Sequence, residues 1–402
     1  MPEVLVVGAG LSGLSAGVAA ARAGRSVLVV DALDRPGGLC GSWIWKGHYV
    51  PRACEEFGQS LFDALDALGC PVAHRPSRQR QPEGIDGSWL RALTVIGRAL
   101  VASTAADVIG DDDRIPVAGQ LASITALLGA PAHMVSMDAL RSKVWTPSSW
   151  LVALRRRPVD PRGPQAITDA LVRGLESAGG VLQLGTRVQS MEDDGEIVVQ
   201  TDRGSLTADV LVRSPADWRS WPSEAPVPME LSQVLFLLDG EGGLPDDVDV
   251  AMLHPRPVAR WMRALDAGFW PEGGPGVALF SVPAQRRGCR VVGAYLPTPR
   301  GESHWASPAR RVDDLLARIE AFAQGFTARV TDWTVVDPAR FRALHGLRPL
   351  PVPRLAPPGF TPPPAVRGRT IHLNAAVSPA VDQADSAVCL GLRLGRRAAE
   401  MP

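Results

Sequence analysis

The chain has 402 residues, 46% of them hydrophobic, with 42 basic and 42 acidic side chains and a formal net charge of zero. That length can bury a large core and suits two connected domains at the usual ~100–200 residues each, while a balanced charge offers nothing to nucleic acid or an anionic membrane surface. Five scattered cysteines without a Cys-x-x-Cys, and seven histidines without paired spacing, argue against a disulfide framework and against a metal. Lys46 and Lys143 are the only lysines. Together with the abundant Ala, Gly and Pro, the remaining arginines reflect a GC-rich, bacterial genome and not a recognition surface.

In chain order, Val4 to Val7 is a short apolar run that predicts a buried parallel strand. A Gly8-x-Gly10-x-x-Gly13 turn follows, then a helix over about 11–23. Gly8 permits the tight turn, Gly10 lets backbone approach a pyrophosphate, and Gly13 lets the helix pack close to the strand. Leu11, Ser12 and Gly13 open that helix, where free N–H groups and the positive dipole end face phosphate. Ser26 to Val30 is the second strand, and Asp31 ends it, at the spacing of an acid that hydrogen-bonds an adenosine ribose. A strand, a glycine turn, a helix and a spaced acid together indicate a dinucleotide; the acid opposes a 2′-phosphate. The apolar run Val4 to Ala21 is not a signal peptide or a membrane span, because Glu3 precedes it and four glycines interrupt it. A cytoplasmic protein is expected.

The next segment, Asp31-Ala32-Leu33-Asp34-Arg35-Pro36-Gly37-Gly38-Leu39, resembles the stretch after the second strand in flavoproteins of the amine oxidase, phytoene desaturase and protoporphyrinogen oxidase superfamily. There an acid, a basic spacer and a Gly-Gly pair wrap the ADP-ribityl part of FAD. Leu39 stands where amine oxidases usually have Arg, which moves the resemblance toward the desaturase side. The resemblance implies non-covalent FAD, with Gly8, Gly10, Leu11, Ser12, Gly13, Asp31, Ala32, Gly37, Gly38 and Leu39 around its ADP half. It also implies an α/β fold in which a Rossmann-type FAD-binding domain (1–75, 158–214 and 346–402) interleaves with a mixed-sheet substrate domain (215–345) and a helical lid (76–157).

Further along, Gly47 to Gly58 resembles the family's strand and loop that pass close to the flavin; Arg52 and Glu55 are its candidate reactive residues, with a plain salt bridge between them the favoured reading. Trp43 and Trp45 alternate on one face and suit a core. Leu61, Leu65 and Leu68 mark a helix that Gly69 stops. Two leucine stripes at 90–100 and 121–128 predict the lid helices, joined by a solvated Gly110–Asp113 turn. Lys143 is a weaker candidate for a flavin-side lysine. In the Gly179–Val188 segment the resemblance implies a strand that ends near Val188 beside the adenine. Strands are expected at 196–200, 208–212, 233–238, 277–282 and 291–296, and Pro349 to Pro364 is a proline-rich crossover.

Thr370 to Ala376 reads as a strand, and Asp382-Gln-Ala-Asp385-Ser386 leads into a helix through Leu392 to Ala399. By resemblance this unit brings a helix N-terminus to the flavin ring, with Asn374, Asp382 and Asp385 nearby. Asn374 stands where the family has Gly, and the ribityl-binding Gly-Asp pair is missing. The implied activity is removal of a hydride from a small organic substrate by a desaturase or oxidase in a specialised bacterial biosynthetic pathway. A redox-neutral isomerase or mutase, and a catalytically degenerate scaffold, remain open alternatives.

Overall fold

A computed structural model describes residues 1–80, 101–103, 107–108, 155–193, 197–213, 229–240, 244–245, 248–253, 258–271, 274, 276–299, 305, 307–347, 366–373 and 383–401. The expected lid helices, the Gly110–Asp113 turn, Lys143, the Pro349–Pro364 crossover, Asn374 and Asp382 lie outside these residues.

The chain opens with β1 (Val4–Val7), α1 (Leu11–Arg22) and β2 (Val27–Val30). A glycine loop leads to the hairpin β3 (Ser42–Trp45) and β4 (His48–Pro51) and to α2 (Gln59–Ala67), which stops at Gly69 with φ +61°. After β5 (His74–Pro76) and β6 (Gln79–Arg80) the chain departs and returns as β7 (Arg156–Pro158), antiparallel to β5. Next come α3 (Gln165–Ser177), β8 (Val181–Gln183), β9 (Val188–Asp193), β10 (Ile197–Thr201), β11 (Gly204–Ala208) and β12 (Val210–Arg213). A second run holds β13 (Met229–Asp239), β14 (Val250–Leu253), α4 (Val258–Asp266), β15 (Val277–Ser281), β16 (Cys289–Pro299), α5 (Pro308–Phe322), β17 (Val330–Val336) and α6 (Pro338–His345). The last elements are β18 (Val366–Arg367), β19 (Thr370–His372) and α7 (Gln383–Glu400).

These elements form two layered bodies. In the first, β19-β12-β1-β2-β8 is a parallel sheet with β18 antiparallel at one edge. Its aliphatic strands pack on α1, α2, α3 and α7 through Val4, Val6, Leu14, Leu65, Leu171 and Val388. The opposite face, through Leu5, Val30 and Leu211, meets the three-stranded β9–β11 meander. Burial on both faces is why these strands read as unbroken aliphatic runs. Val188 opens β9 and does not end a strand: the chain turns at Gly185, φ +61°, and starts a new sheet there.

The second body is a mixed sheet in the order β17-β13-β16-β15-β14-β6. One face packs on α5 through Val312, Leu315 and Ile319. The other receives the β3–β4 hairpin, with Trp45 and Val50 against Leu235, Phe280 and Tyr295, and Trp43 beside them. The paired tryptophans therefore serve the core, as their alternation suggested.

Two close approaches fix the first body. A Cβ at Gly391 would run into the Ser12 carbonyl oxygen and Ser15, and one at Gly395 into Ala16 and Ala19. Arg25 then reaches the Ala399 and Met401 carbonyls at 3.4 and 2.9 Å. The order of contacts makes α7 parallel to α1, backbone almost against backbone. Gln383 lies eight residues before Gly391, so at ~1.5 Å per residue α7 begins about 12 Å beyond the first turn of α1.

Asp249 ties the strand pair β5–β7 to the second sheet. It is 4% exposed. Arg75 chelates it at 2.5 and 2.6 Å, and Arg157 reaches it at 3.3 Å. Burial opposes its ionisation, but these hydrogen bonds and charges hold its pKa down at about 2. Asp249→Ala strands the buried Arg157 and is expected to cost about 3 kcal/mol, read as a lowered denaturation midpoint. In the native protein the contribution is full above the unfolded-state pKa and is lost as pH falls from about 4 toward 2. The variant should lack that part of the acid-unfolding profile, and an unchanged profile would contradict this role.

Candidate functional site

The glycine turn forms an open cradle. Gly8 takes φ +108° and donates its N–H to the Val30 carbonyl at 2.8 Å. A Cβ at Gly13 would collide with the Gly8 carbonyl oxygen, whereas one at Gly10 would meet nothing within 4 Å. Gly10 is the N-cap of α1, without a capping side chain or an acid in the first turn. Gly37, at φ +100°, donates to the Ala9 carbonyl at 2.7 Å, and a Cβ at Gly38 would lie 3.4 Å from the Gly10 Cα. Two glycine loops thus meet over the N-terminal turn of α1 (Leu11, Ser12, Gly13), whose N–H groups have no partner within the helix. An anion fits there, so the residues present suit the diphosphate of a dinucleotide.

Asp31 has a second task that its spacing did not reveal. Its Oδ2 accepts the Ala9 N–H at 2.6 Å and its Oδ1 the Leu33 N–H at 2.8 Å. An ionised carboxylate has about four acceptor positions, so capacity for a ribose remains. The Gly185 and Thr186 N–H groups donate to the Leu33 and Asp31 carbonyls, both at 2.7 Å, which sets Val188 just past this end of the cradle. Ala32 is exposed beside it, and Leu39 is half-buried on the Gly-Gly loop.

Beneath that loop lies a set of buried donors. Arg52 is 2% exposed; its Nη1 donates to the Gly38 carbonyl at 2.7 Å and its Nη2 to the Ser42 carbonyl at 3.4 Å. Burial and the Arg35 charge lower its pKa to about 10, so it stays a cation. His345, from α6, is buried with its ring 5.6 Å from Trp43. Burial and the Arg52 and Arg35 charges push it down to about 4. Arg52 Nε, Arg35 Nε and Trp43 Nε1 are buried without partners.

The expected Arg52–Glu55 salt bridge does not form among the described residues. Arg52 turns toward the glycine loop, and Glu55 turns toward the second sheet. Glu55 Oε2, Tyr295 OH and Gln233 Oε1 are buried together, and the Tyr295 hydroxyl interacts with both Glu55 and Gln233. Gln233 and Tyr295 are opposed on β13 and β16. Burial and neighbouring Glu56 push Glu55 up to about 8, against the pull of Arg157 and Arg155. Burial and Glu55 together raise the Tyr295 phenol. Arg52 and Glu55 are three positions apart, at most ~10 Å of chain, so the two clusters are neighbours. Glu55 was found through the resemblance of its segment to the one that passes the flavin; Gln233 and Tyr295 read only as strand positions, and His345 carried no signal.

Asp385 lies in the first turn of α7. Among the described residues no group of His, Cys, Asp and Glu is placed to hold a metal, and no helix is long and apolar enough to cross a membrane.

Comparison with known proteins agrees with this geometry. A family model for an NAD(P)-binding Rossmann-like domain matches residues 6–64. A ferredoxin–NADP reductase of Ralstonia nicotianae is 31% identical over 147 residues, 35% of this chain and 41% of that protein. A tryptophan 2-monooxygenase of Pantoea agglomerans pv. gypsophilae is 42% identical over 62 residues, 15% of this chain and 11% of that protein. The chain thus spans about two fifths of the reductase it matches. Putrescine oxidase bound to putrescine superposes with a TM-score of 0.63 at 15% identity, covering 99% of this chain and 98% of that one. Cyclohexylamine oxidase from Brevibacterium oxydans superposes at 0.63 and 16% identity, covering 99% of both. A fatty acid isomerase from P. acnes does so at 0.60 and 13%, covering 98% of both. The chain has the α/β fold of the amine oxidase-like flavoproteins.

Gly10→Val is expected to leave the fold intact, because its side chain enters open space, and to abolish dinucleotide binding. Gly13→Val is expected to destabilise the apoprotein itself. Thermal melting combined with FAD titration separates the two, and a Gly10→Val protein that binds FAD normally would contradict the cradle.

Proposed function

We propose that this chain binds FAD non-covalently and acts as an oxidoreductase that removes a hydride from a small organic substrate. One observation carries the reading: two helix N-termini are staged in one direction, α1 at Gly10 and α7 about 12 Å beyond it. The first suits the diphosphate, the second the ring. FAD bound in this way supplies the hydride acceptor.

The chain's own residues then divide the work. The α1 N–H groups hold the diphosphate, and Asp31 the ribose. Gly37, Gly38 and Leu39 close over the cofactor's middle. The first turn of α7, with Asp385, presents N–H groups that favour negative charge at the ring. Asn374 and Asp382 belong to the segment just before it. Glu55, Tyr295 and Gln233 hold a polar group of the substrate, and Glu55 keeps or yields a proton near neutral pH. Arg52 belongs to the cofactor side. A desaturase or oxidase of a specialised biosynthetic pathway is the finer form of this reading; the domain division at 76–157 and 215–345 assigns the substrate side to the second sheet.

The test mixes FAD-loaded protein anaerobically with panels of amines, alcohols and fatty acids. Bleaching of the flavin absorbance by one class is expected. Conversion of a panel member without bleaching or consumption of an acceptor would replace the oxidoreductase with an isomerase. A protein that binds FAD and converts none of them would favour a scaffold.

Glu55 gives a check that needs no substrate. Its folded pKa, about 8, lies above the unfolded value of 4.5. Its contribution to stability is therefore full below pH 4.5 and is lost as pH rises toward 8. The native protein should lose stability relative to Glu55→Gln between pH 5 and 8. Parallel stability curves would show that Glu55 is ionised and solvated.

A further inference from the structure

We propose that Arg52 is the fixed counter-charge for the diphosphate of the bound cofactor. The inference rests on the reading that FAD occupies the glycine cradle.

Its first support is an unbalanced charge. Arg52 is 2% exposed, and its hydrogen bonds go to two carbonyl oxygens. Among the described residues no carboxylate lies within ion-pair distance of it. A buried cation held only by carbonyl dipoles is costly unless an anion completes it. The nearest acids do not serve. Asp31 and Asp34 attract Arg52 only from beyond ion-pair distance; Asp31 already accepts the Ala9 and Leu33 N–H groups, and Asp34 is exposed. Arg35 adds a second cation, bonded to the Leu344 carbonyl at 2.5 Å. The imidazole between them is held neutral by the same field.

Position is the second support. Arg52 Nη1 bonds the Gly38 carbonyl, and Gly38 abuts Gly10 at the N-cap of α1. The guanidinium therefore sits one glycine pair away from the place where a phosphate meets the helix. Its Nε is buried without a partner. Gly41 makes the room: a Cβ there would lie 2.9 Å from Nη1. Leu39, the next residue of the loop, brings no charge of its own. Arginine from the adjoining strand end supplies what that loop lacks, and its fork can bond loop and phosphate together.

The test titrates FAD, and separately ADP, into cofactor-free full-length protein. Arg52→Gln keeps donors for the two carbonyls and removes the charge. Arg52→Lys keeps the charge. Arg52→Gln is expected to weaken both FAD and ADP by about 10- to 100-fold, the range of a charge-assisted hydrogen bond, and Arg52→Lys by only a few-fold. Leu39→Arg placed in the Arg52→Gln protein is expected to restore most of the loss. Thermal melting of each cofactor-free variant separates a lost fold from lost binding, and Arg52→Lys, titrated beside the native protein, reads the charge even if Arg52→Gln folds poorly. Equal losses in the Lys and Gln variants without rescue would reduce Arg52 to a packing role and overturn the proposal. So would weakened FAD with unchanged ADP, which would place Arg52 at the ring. A native protein that binds neither ligand removes the FAD reading and this inference together, whereas native binding with normal binding by Arg52→Gln removes this inference alone.

Discussion

Everything at the candidate site depends on how closely α7 lies along α1. Gly391 and Gly395 have no side chains at the crossing, and Ser12, Ala16 and Ala19 meet them with small groups or bare backbone. Any Cβ at either glycine would push the helices apart, because backbone atoms have nowhere to yield. That contact sets both the direction and the reach of α7. With the α1 N-terminus left open by its own glycine cap, the parallel α7 presents its N-terminus farther along the same line. The chain thereby builds two positive helix ends with a fixed separation out of segments that lie at its opposite termini.

Around this axis, among the described residues, buried N–H donors of Arg35, Arg52 and Trp43 lie on the glycine-loop side, and buried side-chain oxygens of Glu55, Gln233 and Tyr295 lie on the sheet side. Unpaired buried polar atoms cost ~1–3 kcal/mol each, so a concentration of them beside the glycine loop is a feature the fold alone does not reward. The segment from Pro51 to Glu56 is the seam. Arg52 faces the glycine loop while Glu55 faces the sheet, and Gln233 Nε2 anchors the seam by bonding the Pro51 carbonyl at 3.0 Å. A direct Arg52–Glu55 bridge would cancel the two charges and leave neither cluster with a task.

The nucleotide-binding half was legible because its constraints are local. Val4–Val7, the three glycines, the helix and Asp31 fall in one short stretch, and each residue type has a backbone reason to be there. The aliphatic runs of the parallel sheet and the strands at 233–238, 277–282 and 291–296 were legible for the same reason. What escaped depends on partners far apart in the chain. Nothing near His345 signals that it will lie under Arg52, and Gln233 with Tyr295 looks like ordinary strand until the sheet opposes them. The bond of Asp31 to Ala9 was equally invisible, since spacing alone points the acid at a ribose. The resemblance implied a strand ending at Val188, but a short turn at Gly185 separates β8 from β9, so Val188 opens the second of them.

The pairing of two staged helix ends with one cofactor is tested most directly by a crystal structure of the chain with FAD bound. The diphosphate is then expected over Gly10 at the N-terminus of α1, with Arg52 on its flank and the isoalloxazine ring against the first turn of α7. A ring more than about 10 Å from that turn, beyond the reach of an unscreened interaction in ordinary salt, would contradict that pairing.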